Sequence, residues 1–564
     1  MKNEKHCANN NYLKVTHILL IITSYCIAHW GLLIVSGYWW DDAIIRIRDI
    51  ASLQELYRQT GFVFGDLFAI IMISCKYNYR CIVFVLGLIT SILIYLVARE
   101  SEVFDESASF WVGAFFNLIP INDARVTYIC FPYTISLFLF SLSFFQTIIW
   151  KKGMLVNVRL VRIISLILLL LSYTTGSILV MTSIIIVWLL FYDIRQNVNC
   201  KSVKSILDKV PKILFSNIDY VLLPIVYWVI KSLFFQAYGP YKGYNTISRS
   251  GLFLSLVNLP LEVMASIKHI LDSYMLIISK SGKFVLVILV TSFVIGIFIY
   301  FQKEDEQNMD NMMHVFGQLI IGFMLVFLGV FPYVAVGRSG GLYNTGVVGR
   351  DSLLIGFGGA ICIYCLGKIF FKEWFRYTIY VLLMILGIIH FNYWYANYQK
   401  EWYKNLEFQD AVASVSDLKT ENTFWVVNQY ETPCGSSSFY YRNVSAYEVD
   451  GNQSRMFSTM RFLADDFQEA YLHYYGMDDY DNSDRSIDGI IILNDNKMSI
   501  VDLIKLKGIE IKDYDKFAKE INSLDRYEYY PITEEESDYL IDTYRKGITD
   551  DAELFYLFKA KYID

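Results

Sequence analysis

The first long apolar segment of the chain is followed by two adjacent aspartates, Asp41 and Asp42. Three aromatic residues separate this pair from the segment: Tyr38, Trp39 and Trp40. Such residues are typical of the aromatic belt at a membrane surface. Carboxylates just beyond that belt can act as general bases on a substrate that is anchored in lipid. A solvated loop start is the simpler interpretation, and the polar residues further along the chain favour the chemical one.

A third carboxylate and four arginines lie in segments that we predict on the same membrane face. Asp123 stands in the sequence Asn-Asp-Ala-Arg before the fourth apolar segment. The arginines are Arg46, Arg125, Arg338 and Arg350. A guanidinium binds phosphate oxygens in bidentate pairs, and a carboxylate can take the proton of an attacking hydroxyl. Arg338 and Arg350 have glycine neighbours that permit close approach to a ligand, although interfacial arginines also snorkel. The pattern favours a site for a lipid-linked phosphate.

Candidate contacts for an acceptor lie after the seventh apolar segment: Lys242, Tyr244 and Arg249. The sequence has no paired cysteine or histidine spacing of a metal site. Cys362 and Cys365 form a C-x-x-C inside an apolar segment, which we interpret as packing. The acidic cluster at residues 478–484 lacks the glycine and the terminal glutamate of a calcium loop. The sequence therefore requires no metal, and assistance by a divalent metal stays open.

The composition defines the broad class of protein. Of the 564 residues, 55% are hydrophobic and 18% are charged. The apolar residues form blocks that are long enough to cross a bilayer. We therefore predict an all-α polytopic membrane protein with about eleven transmembrane helices and additional interfacial helices. The spans are predicted near residues 15–36, 57–75, 81–98, 125–149, 158–174, 177–193, 217–237, 283–302, 312–333, 352–371 and 376–395. The net charge of −6 argues against a nucleic-acid partner.

Lysines and arginines predict the orientation, because they concentrate in cytoplasmic loops. On this basis we assign Lys76, Arg80, Lys151 and Lys152 to the cytoplasmic side, and the acidic stretch at residues 100–106 to the outside. Residues 107–121 are predicted to form a re-entrant or interfacial helix in the second outer loop, and residues 252–278 another interfacial helix. The N-terminus is then cytoplasmic and the C-terminal region extracytoplasmic.

The composition changes abruptly near residue 397, where the apolar blocks end. We divide the chain into a multi-spanning transmembrane domain, residues 1–396, and a small soluble α/β domain, residues 397–564. In the second domain, β-rich runs at residues 424–427 and 489–493 alternate with helical stretches at residues 499–506 and 515–524. A stretch of this length can form its own core.

The aromatic residues followed by Asp41 and Asp42, together with an acidic residue in the second outer loop, resemble the GT-C superfamily. Its members are membrane glycosyltransferases that use polyprenyl-phosphate sugars. The resemblance covers roughly residues 10–395. Arg46 after the aspartate pair and the stretch at residues 122–125 also resemble bacterial O-antigen-modifying glucosyltransferases.

The resemblance implies a GT-C-like fold, with Asp41 or Asp42 as catalytic base and Asp123 as the acidic residue of the second loop. Glu102 and Asp105 are alternatives for that acidic position. The implied partners are a polyprenyl-phosphate sugar donor, a glycan or lipid-linked acceptor, and membrane lipid. The implied location is a bacterial plasma membrane, with transfer at its outer face.

Two other classes of function stay open. A surface-polysaccharide polymerase or ligase would also act on polyprenyl-linked glycans, and would use arginines in large outer loops. A transporter or flippase would carry charges midway within its spans. Asp66 is one such charge, while most predicted spans have none.

Overall fold

The computed structural model divides the chain into two compact units. The described residues are 2–39, 42, 45, 48–154, 157–197, 209–243, 249–302, 312–336, 347–414, 423–428, 456–458, 487–493, 498–522, 527–548 and 551–563. The first unit comprises Met1–Ile34, Asp49–Val126 and Cys130–Tyr393. The second comprises Val35–Arg48, Thr127–Ile129 and Trp394–Asp564. The second unit thus includes two loop segments that the sequence assigns to the transmembrane domain, and the boundary near residue 396 stays a prediction.

The first unit is built from helices. They are α1 (Lys2–His29), α2 (Gly31–Ile34), α3 (Ile50–Gln59), α4 (Gly65–Cys75), α5 (Tyr79–Glu100), α6 (Glu106–Leu118), α7 (Phe131–Lys151), α8 (Val158–Ser172), α9 (Thr182–Asn197), α10 (Val210–Ser216), α11 (Ile218–Phe234), α12 (Arg249–Ser281), α13 (Val285–Gln302), α14 (Met312–Ala335), α15 (Ile355–Phe370) and α16 (Glu373–Ser414). The division between the units falls within α16.

Seven helices within the described residues are long and apolar enough to cross a bilayer. They are Tyr79–Glu100, Tyr128–Lys151, Val158–Thr175, Ser177–Gln196, Leu256–Phe301, Met312–Ala335 and Glu373–Lys404. The bent pair Val210–Ser216 and Ile218–Phe234 makes eight if it forms one span. Shorter apolar helices, Lys14–His29, Gly65–Cys75 and Ile355–Phe370, coincide with the other predicted spans. The chain is therefore a mainly helical, membrane-spanning protein, and the count of eleven spans stays a prediction.

The outer faces of these helices are apolar, which suits contact with lipid rather than water. Helix α13 is the clearest case, because Leu286, Val294 and Phe298 are each more than half exposed. An apolar helix that protein does not cover is typical of a membrane span. Inside the unit, α14 and α15 approach closely at Gly358, where a Cβ atom would lie 2.6 Å from the carbonyl oxygen of Gly322.

One end of the first unit carries a group of ion pairs, and we call it the ion-pair end. Lys152 Nζ lies 2.9 Å from Glu102 Oε1 and 3.6 Å from Glu100 Oε2. Lys151 Nζ lies 2.8 Å from Asp193 Oδ2. These contacts bring the C-terminal ends of α5, α7 and α9 together.

The opposite end carries the turn between α6 and α7, residues 122–126, and we call it the turn end. The hydroxyl of Tyr79, at the start of α5, donates to the carbonyl oxygen of Val126 over 2.9 Å. Helices α5 and α7 therefore run from the turn end to the ion-pair end, and α6, which lies between them in sequence, runs in the opposite direction. Helix α1 packs along α5 and α6. His17 lies beside Tyr95 of α5, and His29 lies beside Asn117 of α6.

The ion pairs correct the predicted loop assignment. From the sequence we assign Glu100 and Glu102 to the outside and Lys152 to the cytoplasm, whereas the structure pairs them at one end of one unit. Arg80, assigned to the same side as Lys152, lies at the turn end, where its Nε donates to Val126 O over 3.4 Å. The assignments of Arg80 and of the acidic stretch relative to Lys152 are therefore wrong.

Two errors in the predicted spans explain this and offset each other. The predicted span at residues 57–75 is interrupted, and its second part, α4, has 11 residues. Helix α1 ends at the turn end and α5 begins there, so the segment between them, which contains α4, returns to the end from which it starts. Helix α6, predicted to stay in an outer loop, instead connects the two ends of the unit. If α6 crosses between the two ends and the segment at residues 57–75 does not, the number of crossings before α7 is unchanged. Every later helix therefore keeps its predicted direction.

The second unit contains a four-stranded sheet in the order β2-β1-β3-β4. The strands are β1 (Thr423–Asn428), β2 (Met456–Ser458), β3 (Gly489–Leu493) and β4 (Tyr527–Pro531). Strand β1 pairs in parallel with β2 and β3, and β4 is antiparallel to β3. The helices are α17 (Ile500–Lys512), α18 (Tyr514–Asn522), α19 (Glu534–Arg545) and α20 (Asp551–Tyr562). The two β-rich runs of the sequence form β1 and β3.

The segment after α2 packs within the second unit against the C-terminal part of α16. Trp39 is 2% exposed, and its indole N–H donates to the carbonyl oxygen of Tyr398. Gly37 has φ +107°, and a Cβ atom there would overlap the ring of Trp402. Trp39 is thus a buried packing residue, and its interpretation as part of an interfacial aromatic belt is wrong.

The arrangement of α5 and α6 predicts on which side each loop lies. We expect alkaline phosphatase fused after Lys76 to be active and the same reporter fused after Glu102 to be inactive. The reason is that the ion-pair end carries Lys151 and Lys152, and lysines favour the cytoplasmic side. A cytoplasmic fluorescent reporter at the same two positions should give the reciprocal result. The loop assignment from the sequence predicts an inactive phosphatase after Lys76 and an active one after Glu102. Either of these two results would contradict the arrangement of α5 and α6.

Candidate functional site

The turn between α6 and α7 holds three residues that the sequence singled out. Asn122 has φ 55°, in the left-handed region that asparagine adopts more readily than most residues. The chain then forms a short 3-10 helix, Asp123–Val126, in which Asp123 is fully buried. Less common backbone conformations of this kind occur frequently at binding sites. The turn therefore directs a carboxylate into the protein rather than into solvent.

A second short helix, Val347–Ser352, packs against this turn and carries Arg350. The backbone N–H of Asn122 donates to Ser352 Oγ over 3.3 Å, and that hydroxyl donates to Gly349 O over 2.6 Å. Arg350 Nε lies 3.6 Å from Asp351 Oδ1, and the arginine side chain is only 15% exposed. Arg350 is thus held inside the protein, which disfavours the snorkelling interpretation. Two motifs that are distant in sequence meet at the turn end.

Arg125 points back over a layer of aromatic and histidine side chains. Its Nε donates to Asn122 O over 2.8 Å, so the side chain also stabilises the turn. Its guanidinium lies 5.1 Å from the centre of the Phe391 ring, and the His29 ring is tilted against the same ring, with the ring centres 4.3 Å apart. A guanidinium over an aromatic face is a favourable and well-oriented arrangement.

Arg80 is a residue of this region that the sequence analysis assigned elsewhere. It lies beside Tyr79, and both side chains donate to the carbonyl oxygen of Val126. The turn end therefore has three arginines, Arg80, Arg125 and Arg350, in the same region as Asp123 and Asp351. The Tyr-Arg pair at the start of an apolar segment could have indicated an interfacial position.

Asp42 lies in the second unit, where hydrogen bonds to the backbone hold its side chain in place. It is fully buried; its Oδ2 accepts from Trp39 N over 3.2 Å and its Oδ1 from Ile129 N over 2.8 Å. These bonds connect the two loop segments of that unit. The simpler interpretation of this position as a solvated loop start is therefore wrong for Asp42.

The other predicted site residues are placed as follows. Asp41, Arg46, Arg338 and Tyr244 lie outside the described residues. Lys242 is exposed after the short 3-10 helix Gly239–Tyr241, and Arg249 begins α12. Their role in binding an acceptor stays a prediction.

Within the described part of the chain, no group of three or more histidine, cysteine, aspartate or glutamate side chains could hold a metal ion. The acidic cluster at residues 478–484 lies outside that part. Cys362 and Cys365 are both buried in α15. No protein-family model matches the chain, and no curated protein matches it.

The contacts of Asp42 predict a loss of stability when its charge is removed. In Asp42→Asn one oxygen becomes an NH2 group that opposes a backbone N–H, so a buried hydrogen bond is lost. We expect the free energy of unfolding to fall by roughly 1–3 kcal/mol, measured by thermal unfolding of the purified protein in detergent.

Asp66→Asn is the matched control for this change. Asp66 pairs with Arg58 on the surface, where both side chains are about half exposed. Surface pairs of this kind contribute about 0–1 kcal/mol. Equal melting temperatures of Asp42→Asn and the wild type would contradict the structural role of Asp42.

Proposed function

We propose that this chain is an integral membrane glycosyltransferase that transfers a sugar from a polyprenyl-phosphate donor to a glycan or lipid-linked acceptor. The observation that carries the proposal is the meeting of residues 122–126 and 347–352 at one end of membrane-length helices. Arginines and carboxylates from two distant segments lie in one region there, which would suit the head group of a lipid-borne donor. The resemblance to GT-C enzymes supports the same reaction class.

The arginines suit the phosphate of the donor. In the reaction the acceptor hydroxyl attacks the anomeric carbon, and the bond between that carbon and the phosphate oxygen breaks. The electron pair leaves with the polyprenyl phosphate, so negative charge develops on the phosphate group. Arg125 and Arg350 are the described arginines that would stabilise this charge, with Arg46 and Arg338 as further candidates. Burial strengthens such interactions, because the local dielectric constant is low.

The proton of the acceptor hydroxyl must go to a base. Of the three predicted carboxylates, Asp123 lies in the turn itself, beside Arg125. Both oxygens of Asp42 already accept backbone N–H bonds, which suits a positioning residue better than a base. We therefore assign the base to Asp123, with Asp41 as the alternative.

The assignment of Asp123 is tested by Asp123→Asn, which keeps the shape of the side chain but removes its basic oxygen. We expect kcat for sugar transfer to fall roughly 10²–10⁴-fold, measured on the folded fraction of the purified protein. The donors are polyprenyl-phosphate glucose, galactose and mannose, and the acceptor is membrane from a strain that lacks this chain. Asp66→Asn should keep full activity. A fully active Asp123→Asn protein would overturn the assignment of the base.

Glycan analysis of the same deletion strain separates the classes of function. Loss of a side-branch sugar supports the glycosyltransferase. A change of chain length alone would favour a polymerase or ligase, and accumulation of an unchanged lipid-linked glycan would favour a flippase. Either of these last two results would overturn the proposed function.

The phosphate clamp is tested by Arg350→Lys. Lysine keeps the charge but loses the planar fork that binds two phosphate oxygens at once. We expect the apparent KM for the donor to rise about tenfold or more, which corresponds to roughly 1.4 kcal/mol or more of lost binding. The matched control is Arg58→Lys, since Arg58 forms an exposed pair with Asp66. An unchanged donor KM in Arg350→Lys would show that Arg350 does not bind the phosphate.

A further inference from the structure

A small cavity lies beside Arg125 within the first unit. Its volume is about 40 Å³, which is enough for about three water molecules or for a group such as hydroxymethyl. Its lining includes apolar side chains, among them Val83, Phe116 and Leu137. It also includes the polar side chains of Asn117, Asn122 and Arg125. A cavity with this mixed lining fits an amphipathic group rather than a free ion.

Asn117 supplies a buried polar atom without a protein partner. The residue is 2% exposed, and its Oδ1 contacts the hydroxyl of Ser91. Among the described residues its Nδ2 has no hydrogen-bond partner. The single proton of the Ser91 hydroxyl can also go to Gly87 O, 2.8 Å away. With either orientation of the amide, one polar atom contacts Ser91 and the other remains for the cavity.

Arg125 supplies hydrogen-bond donors whose position is fixed by bonds to the turn. Its Nε donates to Asn122 O over 2.8 Å, and one terminal nitrogen donates to Ile121 O over 3.3 Å. Arginine has five N–H donors and no acceptor, so further donors remain for a ligand. The Nδ2 group of Asn117 and the remaining N–H groups of Arg125 all donate, so a ligand oxygen that accepts two hydrogen bonds can satisfy both residues. A hydroxyl group has this property.

We infer that this cavity binds one hydroxyl or hydroxymethyl group of the transferred sugar, and that Asn117 determines specificity for it. The inference rests on the proposed function and deepens it. A site that hydrogen-bonds a substrate hydroxyl rejects an analogue that lacks it, because the buried polar atoms of the site are then left unpaired. Asn117 lies at the end of α6, directly before the turn that carries Asp123, so the subsite adjoins the reacting centre.

The experiment compares donors that lack one hydroxyl at a time. Polyprenyl-phosphate glucose, galactose and mannose are assayed first with the purified full chain. The best donor is then compared with its 2-, 3-, 4- and 6-deoxy analogues. We expect one position to reduce kcat/KM roughly 10- to 100-fold in the wild type.

The variant Asn117→Leu has nearly the same size but no polar atoms. We expect its activity on the parent donor to fall by a similar factor, while the penalty for the critical deoxy position shrinks to about twofold or less. Asn117→Ala gives the same comparison if the leucine variant does not fold. Asn392→Leu is the matched control, since the Asn392 amide already bonds Ile27 O and Trp30 Nε1. It should keep the wild-type discrimination.

Each result bears on the inference in a defined way. Loss of discrimination in Asn117→Leu but not in Asn392→Leu supports it. Equal tolerance of all deoxy donors by the wild type overturns it and leaves the cavity to water. Undiminished discrimination in the Asn117 variants also overturns it, while transfer itself still supports the proposed function. Transfer from no donor at all would overturn both.

Discussion

The pairing of Lys152 with Glu100 and Glu102 is the interaction on which the arrangement of the first unit depends. Charged side chains are costly in hydrocarbon, so they lie at helix ends and pair with one another. Because these residues end or follow α5 and α7, their pairing makes the two helices parallel. Helix α6, which joins them in sequence, must then run in the opposite direction. The direction of each helix in this part of the unit follows from where its charges can be accommodated.

The turn end is the consequence of that arrangement. With the charged ends of α5 and α7 fixed at one side, the chain between α6 and α7 can only reverse at the other. That reversal contains Asn122, Asp123 and Arg125, and it lies beside the start of α5 with Arg80. The same geometry returns Arg350 to this point, because α15 begins there. A cluster of arginines and carboxylates thus forms from segments that share no local sequence pattern.

Local patterns in the sequence were sufficient to predict the helices, because hydropathy is a property of consecutive residues. They were not sufficient to decide which apolar blocks cross between the two ends. The break between α3 and α4 at residues 60–64 is indicated in the sequence by Gly61. Its φ is +75°, and a Cβ atom there would lie 2.6 Å from the carbonyl oxygen of Phe235. Helix α6 was misassigned because it is short and ends in an extended segment. Asn117 is a lone amide in an apolar stretch, and only the cavity beside it indicates a function.

The two buried aspartates illustrate why residue type alone cannot assign a role. The resemblance to GT-C enzymes implies Asp41 or Asp42 as the base, yet the oxygens of Asp42 accept backbone N–H groups from two loop segments. Asp123 is equally buried, but it stands in a turn with an arginine at its own side and another from the packed short helix. A base needs a substrate within reach and a group that compensates its charge after proton transfer. Arg125 in the same turn and Arg350 on the packed short helix would meet the second need. The cavity lined by Asn122 and Arg125 would hold the substrate group that meets the first.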